Sequence, residues 1–166
     1  MKEQSMASRT TGHVVGPPTA PEKPAAADYE TDFYSWSLEQ ARLLREGQWA
    51  QIDRENVAEE IESLGREQFN KLESALRVVL IHMLKWDHQA NRRSRSWTLS
   101  IESQRVEIDH VIEDNPGLKP RVSEAVTRAY RRARIDAANE TGLEKSIFPD
   151  ACPYSFHDIM TREFAR

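Results

Sequence analysis

The chain has 166 residues, 39% hydrophobic and 30% charged, enough for one domain with a hydrophobic core and too few for two comfortable ones. Twenty-seven acidic and 23 basic side chains give a net charge of −4, so no whole-molecule field draws the chain toward nucleic acid or anionic lipid. The single cysteine, Cys152, excludes an internal disulfide and a cysteine-only metal site. The longest apolar run, Val78 to Ile81, is far short of the about 20 residues that a membrane span needs.

Residues 1–27 carry four of the eight prolines (Pro17, Pro18, Pro21, Pro24) among Ala, Thr, Ser and Gly, without aromatics or periodicity. Such a segment buries too little apolar surface to offset its chain entropy and is expected to be a disordered tail before a single helical domain over 28–166. It also lacks the apolar stretch of a secretion signal, which makes the cytoplasm the default expectation.

The first helix is expected over about Thr31 to Glu46, from the near-3.6 spacing of Phe33, Trp36, Gln40, Leu43 and Leu44, with Gly47 as its stop. Trp49, in a short connector, is expected to pin that turn to the core. Asp53 is a good N-cap for a second helix with Glu55 in its first turn. The second helix carries Val57, Ile61, Leu64, Phe69, Leu72, Leu76, Val79, Leu80, Met83, Leu84 and Trp86, and Gly65 is placed to kink or split it. Between Val78 and Leu84 nearly every face is apolar, so this stretch is expected to be the buried spine.

A third helix follows over about Ser94 to Asp114 with Trp97, Ile101, Ile108, Val111 and Ile112 inward, and Asn115-Pro116-Gly117 breaks it. The fourth runs from Pro120 to about Glu140 and closes at Gly142. Its inward face of Val122, Ala125, Val126, Ala129, Ala133 and Ala137 implies a close helix–helix approach. Ile147 to Tyr154 reads as an ordered loop, and Ser155 with Asp158 as the cap of a short C-terminal helix. The expected fold class is all-α, a bundle of about four main helices with a short C-terminal helix and an ordered C-terminal loop.

Several segments taken together carry a resemblance. They are Tyr29 to Trp36, Glu59-Glu60-Ile61-Glu62-Ser63-Leu64-Gly65, His82-Met83-Leu84-Lys85-Trp86, Arg93-Ser94-Arg95-Ser96-Trp97, and Phe148-Pro149 to Cys152-Pro153-Tyr154. In this order the chain resembles the bacterial family catalogued as domain of unknown function 29, over about Tyr29 to Ile159. The resemblance implies a helical fold and a bacterial origin, and brings no activity with it.

The informative residues are polar ones at positions the helical pattern would bury. Glu60 lies between Val57 and Leu64, Arg105 between Ile101 and Ile108, and His82 within the spine. Buried charges pair, hydrogen-bond or change protonation state, so a Glu60–Arg105 pair with His82 bonded to a neighbouring carboxylate or carbonyl is the natural expectation. One reading makes these residues a satisfied internal network that fixes helix order. The other lines one cavity with Glu60, His82, Lys85, Arg93, Trp97 and Arg105. That set suits an anionic small molecule, or general acid–base chemistry in an enzyme, metal-assisted or not.

Asn91 to Trp97 offers three arginines, a helix N-terminus and an indole, the parts of a nucleic-acid contact, whereas Trp97 also starts an apolar stripe and reads equally as core. Glu107 and His110 make one Glu-x-x-His step where di-iron bundles need two, so no metal site and no cofactor are expected. Cys152 reads as a small buried hydrophobe. The sequence therefore points to a helical binding module for a protein partner or an anionic ligand, with a homodimer among the forms open to it. An enzyme using the Glu60/His82/Arg105 region and a nucleic-acid binder using Arg92 to Trp97 stand as alternatives.

Overall fold

A computed structural model describes residues 28–165, and the expected tail lies outside them. The fold is all-α: four main helices and a short C-terminal one, with no strand among the described residues. No helix among them is long and apolar enough to cross a membrane. The chain forms two compact units that divide between Asp53 and Arg54, and each is taken in turn.

The first unit is built on α1 (Phe33–Arg45), which is started by the Asp32 carboxylate accepting from the Ser35 backbone N–H and ends just before Gly47 at φ 69°. Trp36, Gln40 and Leu43 are its buried face. Trp36 Nε1 donates to Asp53 Oδ2 at 3.3 Å, and the Asp53 backbone N–H donates to Gln40 Oε1 at 2.9 Å, so two α1 residues bind the end of the connector. The rings of Tyr29, Phe33 and Trp36 pack edge-on or tilted, with centroids 4.8 to 5.9 Å apart. Trp49, expected to pin the turn to the core, is 66% exposed in a 3-10 turn. The turn is held instead by Trp36 and Gln40 on Asp53.

The second unit is organised by α2 (Arg54–His88), α3 (Arg95–Asp114) and α4 (Val122–Thr141), with α2 packed against both others. α2 is one continuous helix of 35 residues, about 52 Å at 1.5 Å per residue, and Gly65 does not split it. Its core face begins at Phe69, and Leu72, Leu76, Val79, Leu80, Met83 and Leu84 form the spine with Ile101 and Ile108 of α3. The small face of α4 is buried as expected (Ala125, Val126, Ala129, Ala133 and Ala137), and Tyr130 joins it, donating from its hydroxyl to the Pro149 carbonyl at 2.6 Å. Short side chains let the α4 backbone approach α2 closely, so charged residues at the rim of the contact reach across it.

These rim pairs form a ladder along α2 and α4: Arg128 and Arg132 at Glu73, Arg77 with Asp136, and Lys85 with Glu140. Sequence numbers rise together on both helices, so α2 and α4 run parallel. The sign reverses partway, with an acid on α2 at the first rung and bases at the next two. A shift by one turn would set like charges against each other, which ties the ladder to a unique register. Finally, α5 (Phe156–Thr161) starts with the expected capping box: Asp158 N–H donates to Ser155 Oγ at 3.0 Å and Ser155 N–H donates to Asp158 Oδ2 at 2.9 Å.

Candidate functional site

Three of the six candidate residues meet where the end of α2 lies beside the start of α3. Lys85 is buried, its ammonium is 2.7 Å from Glu140 Oε2, and it lies 4.7 Å from the centre of the Trp97 ring. The His82 ring, one turn earlier on α2, is tilted against the same indole at 6.4 Å. Its Nδ1 is buried without a hydrogen-bond partner. Burial lowers the imidazole pKa below its ordinary 6.5, the Lys85 charge lowers it further, and Glu140 partly opposes both. His82 is therefore not bonded to a carboxylate or carbonyl as the sequence suggests; the carboxylate nearby is taken by Lys85.

Arg93 sits on the neighbouring connector. Its Nε donates to the Trp86 carbonyl at 3.0 Å, and its guanidinium lies 4.9 Å from the Trp86 ring centre. It closes the open C-terminal end of α2, where carbonyls lack intrahelical donors. Arg105 works in the same way further along. Flanked by fully buried Ile101 and Ile108, it donates from Nε to the Ile159 carbonyl at 2.7 Å and from Nη2 to the Arg162 carbonyl at 2.9 Å and the Asp158 carbonyl at 3.5 Å. Its partners are backbone carbonyls of α5 and the segment after it, not Glu60.

Glu60 is not brought to the others. On an unbroken helix it stands about 33 Å of rise from His82, and the helical stretch around it is not core: Ile61 is 64% and Leu64 60% exposed. The expected stripe Val57–Glu60–Leu64 exists as a periodicity but has no interior to face within the second unit.

A further network joins residues that the sequence did not single out. Asp87 accepts two hydrogen bonds from the Arg162 guanidinium, at 2.6 and 2.9 Å, and one from the Tyr154 hydroxyl at 2.7 Å. Burial raises the Asp87 pKa, but the Arg162 and Tyr154 hydrogen bonds outweigh it and hold the carboxyl below its ordinary range; burial and Asp87 push the Tyr154 phenol well above its own. The Phe164 ring lies edge-on to Trp86 at 5.4 Å and within 5.2 and 5.5 Å of the Arg162 and Arg105 guanidiniums. A cleft of about 320 Å³ runs between Thr98, Ile101, Glu102 and Arg105 on α3 and the segment 162–165. Both of its arginines already hold protein oxygens. No short-range pattern announces this network, since Asp87 and Arg162 are 75 positions apart.

The other readings can be placed on the same geometry. Glu73 is a buried acid whose Oε2 lies 2.9 Å from Arg128 Nε, an ion-pair distance at an angle that makes no hydrogen bond. Arg121 pairs with Glu124, and Arg134 with Asp150 and the Phe148 carbonyl, so most of the α4 arginines are committed within the chain. Among the described residues no group of three or more His, Cys, Asp or Glu side chains is disposed to hold a metal. Cys152 is half-buried, and burial pushes its thiol up.

Altogether this is an all-α protein in which Lys85, Arg93 and Arg105 are bound by other parts of the chain. The chain belongs to the family described as Domain of unknown function DUF29, whose model matches residues 29–165. Comparison with curated proteins and with solved structures gave no match.

The His82 environment gives a pH prediction. A histidine with a depressed folded pKa adds stability that is full above the unfolded value of 6.5 and is lost as pH falls toward the folded value. His82→Leu fills the same space, strands no hydrogen-bond partner and cannot protonate. The variant is expected to melt within about 3 °C of the parent at pH 8, a change under about 1 kcal/mol, and to gain on the parent steadily from pH 7 to 5. Parallel melting curves across that range would refute the assignment.

Proposed function

We propose that the chain is a helical interaction module of the cytoplasm that recognises a protein partner. The observation that carries this reading is where its apolar side chains lie. In the first unit Phe33, Tyr34, Leu38 and Trp49 are all at least half exposed, Tyr34 by 72%. In the second, Ile61 and Leu64 stand in solvent on the front of α2. Scattered exposed leucines are ordinary, but exposed aromatic and large aliphatic residues crowded on short stretches of helix are typical of protein contacts. The anionic-ligand reading is weaker on the same ground, because Lys85, Arg93 and Arg105 are already bound to Glu140, the Trp86 carbonyl and the α5 carbonyls. The nucleic-acid reading needs an indole platform, and Trp97 already holds Lys85 and His82.

The test is photo-crosslinking in the producing cells, with a photoreactive residue placed singly at Tyr34, Trp49, Ile61 or Leu64, and at the exposed polar positions Glu113 and Asn139 as controls. Discrete protein adducts are expected from at least one apolar position and from neither control. Absence of adducts at all four would overturn the module reading.

A further inference from the structure

α1 carries a trough on its exposed side. At about 100° per residue, Phe33 and Leu44 form one line along the helix, and Tyr34 and Leu38 form another about 110° round. Ser37 and Ala41 lie between the two lines. The four wall residues are 50%, 40%, 72% and 55% exposed in that order, whereas Ser37 and Ala41 are half-buried. The Ser37 hydroxyl donates to the Tyr34 carbonyl at 2.9 Å and so turns back on its own helix. Two small residues between apolar walls leave a shallow channel, about 17 Å long from Phe33 to Leu44 at 1.5 Å per residue. Aromatic and aliphatic walls left open in this way call for a cover.

The chain holds a segment that fits it, and holds it close by. Residues 1–27 have neither the helical nor the strand spacing, yet Val15, Pro18, Pro21 and Pro24 fall at every third position. A polyproline II helix has three residues per turn, so these four side chains share one apolar edge, and Thr19, Glu22 and Lys23 fall on the others. At 3.1 Å per residue Pro18 to Pro24 spans about 19 Å, close to the length of the channel. Proline fixes φ, so ordering such a rod costs less chain entropy than ordering other residues. Its carbonyls make no internal hydrogen bonds, and aromatic-lined channels are the surfaces that take it. The tether decides between occupants. The Asp28 carbonyl accepts from the Asp32 backbone N–H at 2.9 Å, one turn before α1, and only Ala25, Ala26 and Ala27 separate Pro24 from Asp28. A segment joined so closely acts at an effective concentration of about millimolar, above what a second copy or a separate chain of the same chemistry reaches. We infer that residues 15–24 lie along the α1 channel as a polyproline II rod, proline edge inward, with the Tyr34 hydroxyl donating to one of its carbonyls. This goes beyond the interaction-module reading: a partner that reached Tyr34 would first have to displace the segment.

The experiment uses the purified full chain with a photoreactive residue in place of Ala20, which lies off the apolar edge. Illumination is expected to join position 20 to residues 33–44 of the same chain, located by digestion and mass spectrometry. Tyr34→Ser with Leu38→Ser should lower that adduct by at least about five-fold, and so should Pro18→Gly with Pro21→Gly. Neither pair should move the melting temperature, since the serines replace exposed side chains. Ile61→Ser with Leu64→Ser should leave the adduct unchanged. Adducts scattered over the chain, or an α1 adduct indifferent to the serine or glycine pairs, overturn the inference. So do adducts that join heavy to light chains in an isotopically mixed sample, since a second copy would then be the occupant. Crosslinks from Trp49, Ile61 or Leu64 to another protein neither require the docked segment nor exclude it, so this inference and the module reading fail separately.

Discussion

Arg105→Met is expected to destabilise the protein by about 3 kcal/mol and lower its melting temperature by about 10 °C. Methionine replaces the stem between Ile101 and Ile108 and leaves no large cavity, so the loss isolates the guanidinium. That group donates to the Ile159 and Arg162 carbonyls at 2.7 and 2.9 Å, and hydrogen bonds from a charged donor contribute roughly 1.5–3 kcal/mol each, net of the water bonds they replace. α5 has only six residues and cannot hold itself together, so its free carbonyls depend on this donor. Burial lowers the Arg105 pKa from its usual value, but an arginine remains charged at any pH the fold survives. Limited proteolysis should then cut within 156–165 faster in the variant than in the parent. If instead Arg105 waits in the cleft for an anionic ligand, the variant melts at or above the parent and its C-terminal segment stays protected.

The same residue shows how far the sequence could be read. Position 105 falls inside the α3 stripe, and periodicity alone placed its guanidinium against the core. The partner was not legible, because carbonyls at the end of a six-residue helix 54 positions away leave no trace in residue type. The Glu60–Arg105 expectation failed for a reason the sequence does contain. Once α2 is taken as unbroken through Gly65, the helical rise separates Glu60 from His82 by about 33 Å. The cost of a glycine in a helix, about 1 kcal/mol, is small beside the packing of twenty later residues, so α2 runs on through Gly65. Local signals did well. The Ser155–Asp158 capping box, Gly142 at φ 71° past α4 and the alanine face of α4 all depend on neighbours in sequence and stand as expected. Trp49 shows the limit of hydrophobicity as a guide. A large apolar residue in a three-residue turn can face a core or a partner, and nothing around it in the sequence distinguishes them.

Lys85 and Glu140 should respond unequally to removal, and the inequality bears on what the pair is for. The lysine side chain is 11% exposed and the glutamate 48%. Glu140→Ala leaves an ammonium in a nearly closed site with only the Trp97 ring for company, and is expected to cost about 2 kcal/mol, or about 6 °C in melting temperature. The full penalty for an orphaned buried charge is larger, but water reaches the space a half-exposed glutamate leaves. Lys85→Met removes the buried charge itself, keeps the apolar stem against Trp97, and frees a glutamate that is already half in water. Its expected cost is below about 1 kcal/mol, and the double variant should match it. The site then serves registration, the last rung of the α2–α4 ladder, and it holds the Trp97 ring against α2. A costly Lys85→Met beside a harmless Glu140→Ala would contradict this. The favourable contact would then lie between the ammonium and the indole, leaving Glu140 free to engage something outside the chain.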